Sequence, residues 1–440
     1  MLLQFSVENF LSFRDRVTLS AVPSEHIAHD PKHILEGPNG KRALRVLALY
    51  GANASGKSNV LKALQFAQRF ITEGVPPRAP IPVQPFKLDK ESLKKPSRFD
   101  FDFIADNQHW SYGFSTTSQR IEGEWLYRIL PNDAEDLIFT RTFSSTTDTT
   151  PAIEVGDNLD PNTQQTLLSL LKAARPNQLF LLDSADRNIT PALDSVYGWF
   201  KRCLHTFSIS TDNEDFNEIF LALKTETSHI LQSAGTGISK IEFKINQEKL
   251  IQRSSHVFYH QLKTLEHEAS TNKEGYAAST PYNIQIPFVP EFYHNDIPFS
   301  SDEESEGTLN LTKLTPLIYL MSLSEANVFT LDEIERSLHP NLTRFILQTI
   351  IESGGTGQLI FTTHDTNLLD RKLLPKDAVW FTEKNGEGAS SLYSLAEFKT
   401  EQLEALDNTL ERGYLQGRFG AVPFLGDPTR LGWREEEDKP

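Results

Sequence analysis

The chain has 440 residues, a net charge of −16 at pH 7 and one cysteine, Cys203. That length allows about two or three domains with ample core, and a single thiol excludes an internal disulfide framework and suits a reducing cytosol. No run of about 18 apolar residues is present to span a bilayer, and so acidic a chain lacks the basic stripe with which proteins clamp duplex DNA.

The amino terminus reads as a strand, Leu2–Val7, rather than a secretory leader. Phe5–Phe10 and Val17–Leu19 predict a hairpin feeding a short apolar strand, Val46–Tyr50. The octamer Gly51-Ala52-Asn53-Ala54-Ser55-Gly56-Lys57-Ser58 follows and fits G-x-x-x-x-G-K-[ST]. Beyond it, Val60, Ala63, Leu64, Ala67 and Ile71 recur on one face of a helix. Between strand and helix, such a loop meets polyphosphate with successive backbone N–H groups and a positive helix end. Its glycines permit close backbone approach, Lys57 supplies a point charge for the β/γ-phosphates, and Ser58 offers its hydroxyl to Mg²⁺. This is a nucleotide-binding P-loop.

Residues 72–95 are rich in proline and predict loop or edge, with Gln84 just before Pro85-Phe86. From Phe99 to Leu130 apolar and polar residues alternate, the pattern of an antiparallel sheet, and 144–150 reads as a solvated loop. Helical spacing covers 163–172, 192–204 and 216–231; a strand is expected over Ile238–Ile245, and the polar stretch 263–282 should loop out. His26, His29 and His33 lie in a polar loop without a cysteine or acidic partner set, which argues against a metal site.

From Phe288 a strand–helix–strand rhythm resumes to about Leu395. Ser305-Glu306-Gly307-Thr308 opens a helix with Leu314, Leu317, Ile318 and Met321 inward, and Pro316 should kink it or move its start. A Ser-x-Gly turn there reads either as an anion-binding device or as a plain helix cap. Val328–Leu331 is an apolar strand that ends in Asp332-Glu333, a pair suited to a Mg²⁺ shell and to orienting and deprotonating an attacking water; the bland alternative is a strand end before a helix cap. The next helix, Asn341–Ser353, should bury Leu342, Phe345, Ile346, Thr349 and Ile350, with Pro340 in its first turn and Gly354-Gly355 at its end. Gln358–Thr363 is a further apolar strand, which as a parallel neighbour would aim His364 at the same γ-phosphate. A final strand, Val379–Thr382, a helix with Leu403, Leu406 and Leu410, and an acidic tail complete the chain.

In this order the elements resemble the ABC-type ATPase head of the SMC/RecF class: P-loop with Asn53 at its third position, signature, Walker B Asp332-Glu333, D-loop and switch His364. A closer similarity is to bacterial AAA-family ATPases of the abortive-infection, AbiL-like type, relatives of OLD nucleases. Its carriers are Phe5–Phe13, Tyr50–Asn59, Pro85–Leu88, Glu304–Thr308, Asp332–Pro340, Phe361–Asp365 and Tyr414–Pro423. The resemblance implies an α/β P-loop NTPase of ABC/SMC-head type with an antiparallel β subdomain and an inserted, mainly helical region. The lobes would be 1–155 and 296–425, with the insertion at 156–295 and the tail at 426–440.

The resemblance also implies ATP and Mg²⁺ as cofactors. Gly51, Asn53, Ser55, Gly56, Lys57, Ser58 and Asn59 would hold the nucleotide, with Ser305 and Gly307 of a second head capping it. Ser58, Asp332 and Gln84 would hold the metal, and Lys57, Glu333 and His364 would be catalytic, Gln84 also reading as an ordinary loop residue. Two such heads sandwich ATP, so a homodimer or higher homo-oligomer is expected, in the cytoplasm and away from membranes. The resemblance assigns it to antiphage defence, as a sensor that controls a separate nuclease or Toprim-like effector; a RecF-like repair ATPase is the alternative. Nucleic-acid contact is expected to be weak for the chain alone. The signature reads Ser-Glu-Gly-Thr rather than Ser-Gly-Gly-Gln, so an acidic side chain near the trans phosphate predicts slow turnover or a need for an activator.

Overall fold

The amino-terminal hairpin pairs β1 (Leu2–Glu8) with β2 (Val17–Ser20), and Val7 lies opposite Val17. A small ribbon of β3 (Ile34–Glu36) and β4 (Arg42–Leu44) leads into β5 (Val46–Gly51), every residue of which is buried. The P-loop then opens α1 (Lys57–Thr72), which buries Val60, Ala63, Leu64, Ala67 and Ile71 as its spacing predicts. This is a computed structural model, and it describes residues 1–143, 150–185, 187–207, 222–245, 288–323, 326–398 and 410–423.

The alternating stretch forms a meander of β6 (Ser97–Ala105), β7 (Gln108–Thr116), β8 (Ile121–Ile129), β9 (Glu135–Thr142) and β10 (Ala152–Val155). With the hairpin it makes a seven-stranded antiparallel sheet, ordered β10-β9-β8-β7-β6-β1-β2. Phe99, Phe101 and Phe103 alternate inward with period two, and Phe101 and Phe103 meet Phe200 at ring-centroid distances of 5.0 and 5.4 Å. Phe200 belongs to α4 (Pro191–Arg202), which follows α2 (Pro161–Ala173) and the short α3 (Phe180–Ser184).

Both ring nitrogens of His109, in β7, are buried with no hydrogen-bond partner among the described residues. Burial pulls this imidazole from its ordinary 6.5 down to about 4, with Lys41 adding to the shift and Asp133 opposing it. As pH falls the unfolded chain therefore takes up this proton first. Stability that depends on neutral His109 is complete above about pH 6.5 and is lost as pH falls toward about 4. A His109→Phe chain should show a flatter dependence of melting temperature on pH in that window; an unchanged slope would remove His109 as its source.

A second sheet of six strands is ordered β11-β15-β16-β5-β17-β18. It comprises β11 (Leu204–Phe207), β15 (Val328–Leu331), β16 (Gln358–Thr362), β17 (Val379–Lys384) and β18 (Ser390–Ser394) around β5. From β15 to β17 the pairs are parallel, and β15 and β16 are buried throughout, which is why they read as unbroken apolar runs. The amide side chain of Gln358, wholly buried, exchanges hydrogen bonds with both backbone groups of Leu2 and also donates to the Leu44 carbonyl, fastening the hairpin to β16.

The described residues divide into two compact units, the first made of those that fall within 1–206, 324–334 and 356–440 and the second of those within 207–323 and 335–355. Of the predicted insertion, α2, α3 and α4 thus lie in the first unit. The second holds α5 (Lys224–Ser233), the three-stranded sheet β12 (Lys240–Ile245)-β13 (Phe288–His294)-β14 (Ile297–Ser300), α6 (Glu306–Ser322) and α7 (Pro340–Glu352). Within it α6 packs against α5 and α7.

Two expectations change here. Helix α6 starts at Glu306, capped by Ser305, and continues past Pro316, so of the two expected effects of the proline the shifted start does not occur. The buried stripe of α7 is Thr343, Ile346, Leu347, Ile350 and Ile351, rotated from the predicted face, and Phe345 stands 40% exposed. A buried threonine misled the apolar count. The expectations for 144–149, 216–221, 263–282, Leu403, Leu406 and the tail 426–440 lie outside the described residues. The last helix described, α8, is Leu410–Leu415.

Candidate nucleotide site

Strand β5 delivers the P-loop at the carboxyl end of the parallel sheet, where the ends of β15 and β16 also lie. Gly51 has φ +154° and Gly56 φ +118°, both in the region that favours glycine. A Cβ on Gly51 would sit 2.5 Å from Ser55 Oγ, and one on Gly56 would sit 2.6 Å from Ser390 Oγ. These two glycines let the backbone turn where a side chain would collide.

Lys57 is buried, and its ammonium donates to the carbonyls of Gly51 at 2.8 Å and Ala52 at 3.1 Å. Ser58 Oγ donates to Asp332 Oδ1 at 2.9 Å across 274 positions of sequence. Thr362 Oγ1, at the end of β16, donates to the same carboxylate oxygen at 2.5 Å and accepts the Glu333 amide at 2.8 Å. Glu333 has φ 54°, a left-handed turn that reverses the chain immediately after Asp332. Asp332 is thereby tied to Ser58 while the Glu333 side chain stands exposed. A carboxylate and a hydroxyl sharing one oxygen contact fit a hard divalent cation, and the Lys57 ammonium inside a curled amide loop fits a phosphate.

His364 is exposed two residues beyond β16, and the preceding Thr363 amide is fixed to the Leu49 carbonyl at 3.1 Å. Asn53 is exposed on the loop, whereas Ser55 is buried and shares a 2.6 Å hydrogen bond with Thr382 Oγ1. Asn59 donates to Ser12 Oγ at 2.7 Å, and Ser390 Oγ donates to the Ser55 carbonyl at 2.6 Å and shares a 2.8 Å hydrogen bond with Ser12 Oγ. Gln84 is exposed, and its backbone carbonyl accepts the Leu11 amide at 2.8 Å. Thr362, Ser12, Thr382 and Ser390 were given no site role by the sequence reading, although Ser12 and Thr362 fall within segments that carry the resemblance. A buried hydroxyl at the end of an apolar strand was the available signal for Thr362 and Thr382, and nothing marked Ser390.

In the second unit, Ser305 is exposed, and its Oγ accepts the Thr308 amide at 3.1 Å as the cap of α6. The hydroxyl is thus a helix cap. A Cβ on Gly307 would lie 2.7 Å from the Ser337 carbonyl, and Asn310 donates to the Arg336 carbonyl at 3.0 Å. The segment after the acidic pair therefore lies directly against the Ser-x-Gly turn. Elsewhere in the first unit, His29 pairs with Asp377 at 2.9 Å and His33 is buried.

A family model described as "AAA domain, putative AbiEii toxin, Type IV TA system" matches residues 46–370. No curated protein matches the chain. Among solved structures, the chain is similar to an SMC head bound to the C-winged helix domain of ScpA, at 13% identity and TM-score 0.41 over 92% of this chain and 99% of that one. It is also similar to the SMC head domain from Thermotoga maritima, at 12% identity and TM-score 0.38 over 89% and 98%. At such scores the fold assignment rests on strand order and on the family match.

Proposed function

Because the chain belongs to the AAA-domain family described as putative AbiEii toxin of Type IV TA systems, we propose that it binds and hydrolyses ATP and uses the cycle as a switch. The observation that supports the reading is the join of Ser58, Asp332 and Thr362, which brings distant segments together as a P-loop ATPase site would require. Ser58 and Asp332 would hold Mg²⁺, whose charge when bound neutralises that developing on the phosphates. Lys57 would exchange its loop carbonyls for the β/γ-phosphates. Glu333 would orient an attacking water and accept its proton, and His364 would donate toward the γ-phosphate. Ser305 and Gly307 of a second copy would close the site, making the dimer the switch.

Two states of a dimer, closed with ATP and open after hydrolysis, can hold or release a separate effector. The family's description as a putative toxin of Type IV TA systems favours a defence role, and the reading extends to a separate nuclease or Toprim-like partner. The test is Mg²⁺-dependent phosphate release by the purified chain, followed by co-purification with the neighbouring gene product with and without ATP. No hydrolysis in the presence or absence of that partner would defeat the ATPase reading. A nucleotide-insensitive association would defeat the switch.

Thr362→Val should lower turnover on the order of tenfold and raise the Mg²⁺ needed for half-maximal rate, because valine keeps the shape but orients neither Asp332 nor the Glu333 amide. A Mg²⁺ titration identical to wild type would show that Asp332 needs no such support.

A further inference from the structure

Helix α8 and the turn after it, residues 410–421, reach both flanks of the P-loop strand. The Tyr414 ring lies 5.9 Å from Tyr50, the residue before Gly51, and stacks on Phe381 of β17 at 5.6 Å. Its hydroxyl donates to the Ala421 carbonyl at 3.1 Å and accepts the Gly51 amide. Glu411 accepts a 2.7 Å hydrogen bond from Thr366 Oγ1, two residues past His364. Tyr50 completes a ring of contacts by donating its own hydroxyl to the Asp365 carbonyl at 3.2 Å.

The segment is shaped for these contacts. Gly417 and Gly420 have φ near +73° and +65°, and Ala421 has φ 57°, so the chain doubles back and brings the Ala421 carbonyl to Tyr414. A Cβ on Gly420 would lie 2.7 Å from the Tyr393 hydroxyl, which itself donates to the Phe419 carbonyl at 2.7 Å. Leu415 points the other way and is 63% exposed, so burial of the helix face alone does not account for the seat of α8. Specific polar and ring contacts set its place.

We infer that residues 410–421 are a positioning element of the nucleotide site, in which Tyr414 fixes the entrance to the P-loop and Glu411 fixes the loop that presents His364. The inference rests on the ATPase reading above and adds to it two residues that act through others. Since Tyr50 touches both the Asp365 loop and Tyr414, a displacement of either flank reaches the other by direct contact.

Kinetics and amide exchange test it together. Glu411→Ala should lower kcat on the order of fivefold with little change in KM, and Glu411→Gln, which keeps an acceptor for Thr366, should restore it. Tyr414→Phe keeps the ring and loses the hydroxyl, and should raise the KM for ATP by a similar factor with kcat retained. Wild-type kinetics in Glu411→Ala, or a loss that glutamine does not restore, would overturn the inference. If wild-type protein hydrolyses no ATP, the ATPase reading fails separately. Hydrogen exchange then still decides the contact: Glu411→Ala should speed exchange of residues 363–369 in nucleotide-free protein, and unchanged exchange there overturns it.

Discussion

Glu333→Gln is expected to bind ATP and hold it, whereas Lys57→Ala is expected not to bind it. The two side chains differ in what surrounds them. Lys57 is buried inside the curled loop with its ammonium on the Gly51 and Ala52 carbonyls, so its removal takes away the positive charge in the phosphate cradle. Glu333 stands exposed beyond the Ser58–Asp332 pair, and its left-handed backbone is held by Thr362 through an amide that glutamine retains. Glutamine therefore preserves shape and hydrogen bonding and loses only the base. General-base removal costs about 10²–10⁴ in rate, so turnover by Glu333→Gln should fall into that range while a fluorescent ATP analogue still binds. Lys57→Ala should show no saturable binding under the same conditions. Wild-type turnover by Glu333→Gln would take Glu333 out of its assigned role, and wild-type affinity in Lys57→Ala would do the same for Lys57.

The parts of this site that sequence made legible are those where chemistry demands a residue type at a fixed spacing. The P-loop octamer declares itself because backbone amides can wrap phosphate only with glycine at positions such as Gly51 and Gly56, where a side chain collides. The apolar runs before Asp332 and His364 were readable as central parallel strands because both faces are covered, and β15 and β16 do pair in parallel. What sequence did not carry is the set of side chains that hold these groups. Thr362 meets Asp332 from 30 positions away, and Ser12 meets Asn59 from 47. Such pairings depend on strand order, which local pattern does not encode. The rotated face of α7 has the same origin, since tertiary packing buried Thr343 and left Phe345 outside.

Mixing two inactive variants, Lys57→Ala and Ser305→Arg, is expected to restore ATPase activity that neither has alone. If the site is composite, each closed site takes its P-loop from one subunit and its Ser305-Glu306-Gly307 turn from the other. A Lys57→Ala dimer then has no working P-loop, and a Ser305→Arg dimer has no working cap. In an equal mixture about half the dimers pair the two variants, and each of these has one of its two sites intact, so about a quarter of wild-type activity should return. Ser305 is suited to the test because it is exposed, so arginine can be accommodated without entering the core. Arginine does forfeit the bond from the Thr308 amide, a loss of about 1 kcal/mol of helix stability. Ser305→Ala loses the same cap without adding bulk, and its activity separates capping from closure. If Ser305→Ala is as inactive as Ser305→Arg, the lost cap accounts for the effect and the steric argument fails. If mixed dimers form and stay inactive, each P-loop works with its own turn, and the two-headed switch falls with it.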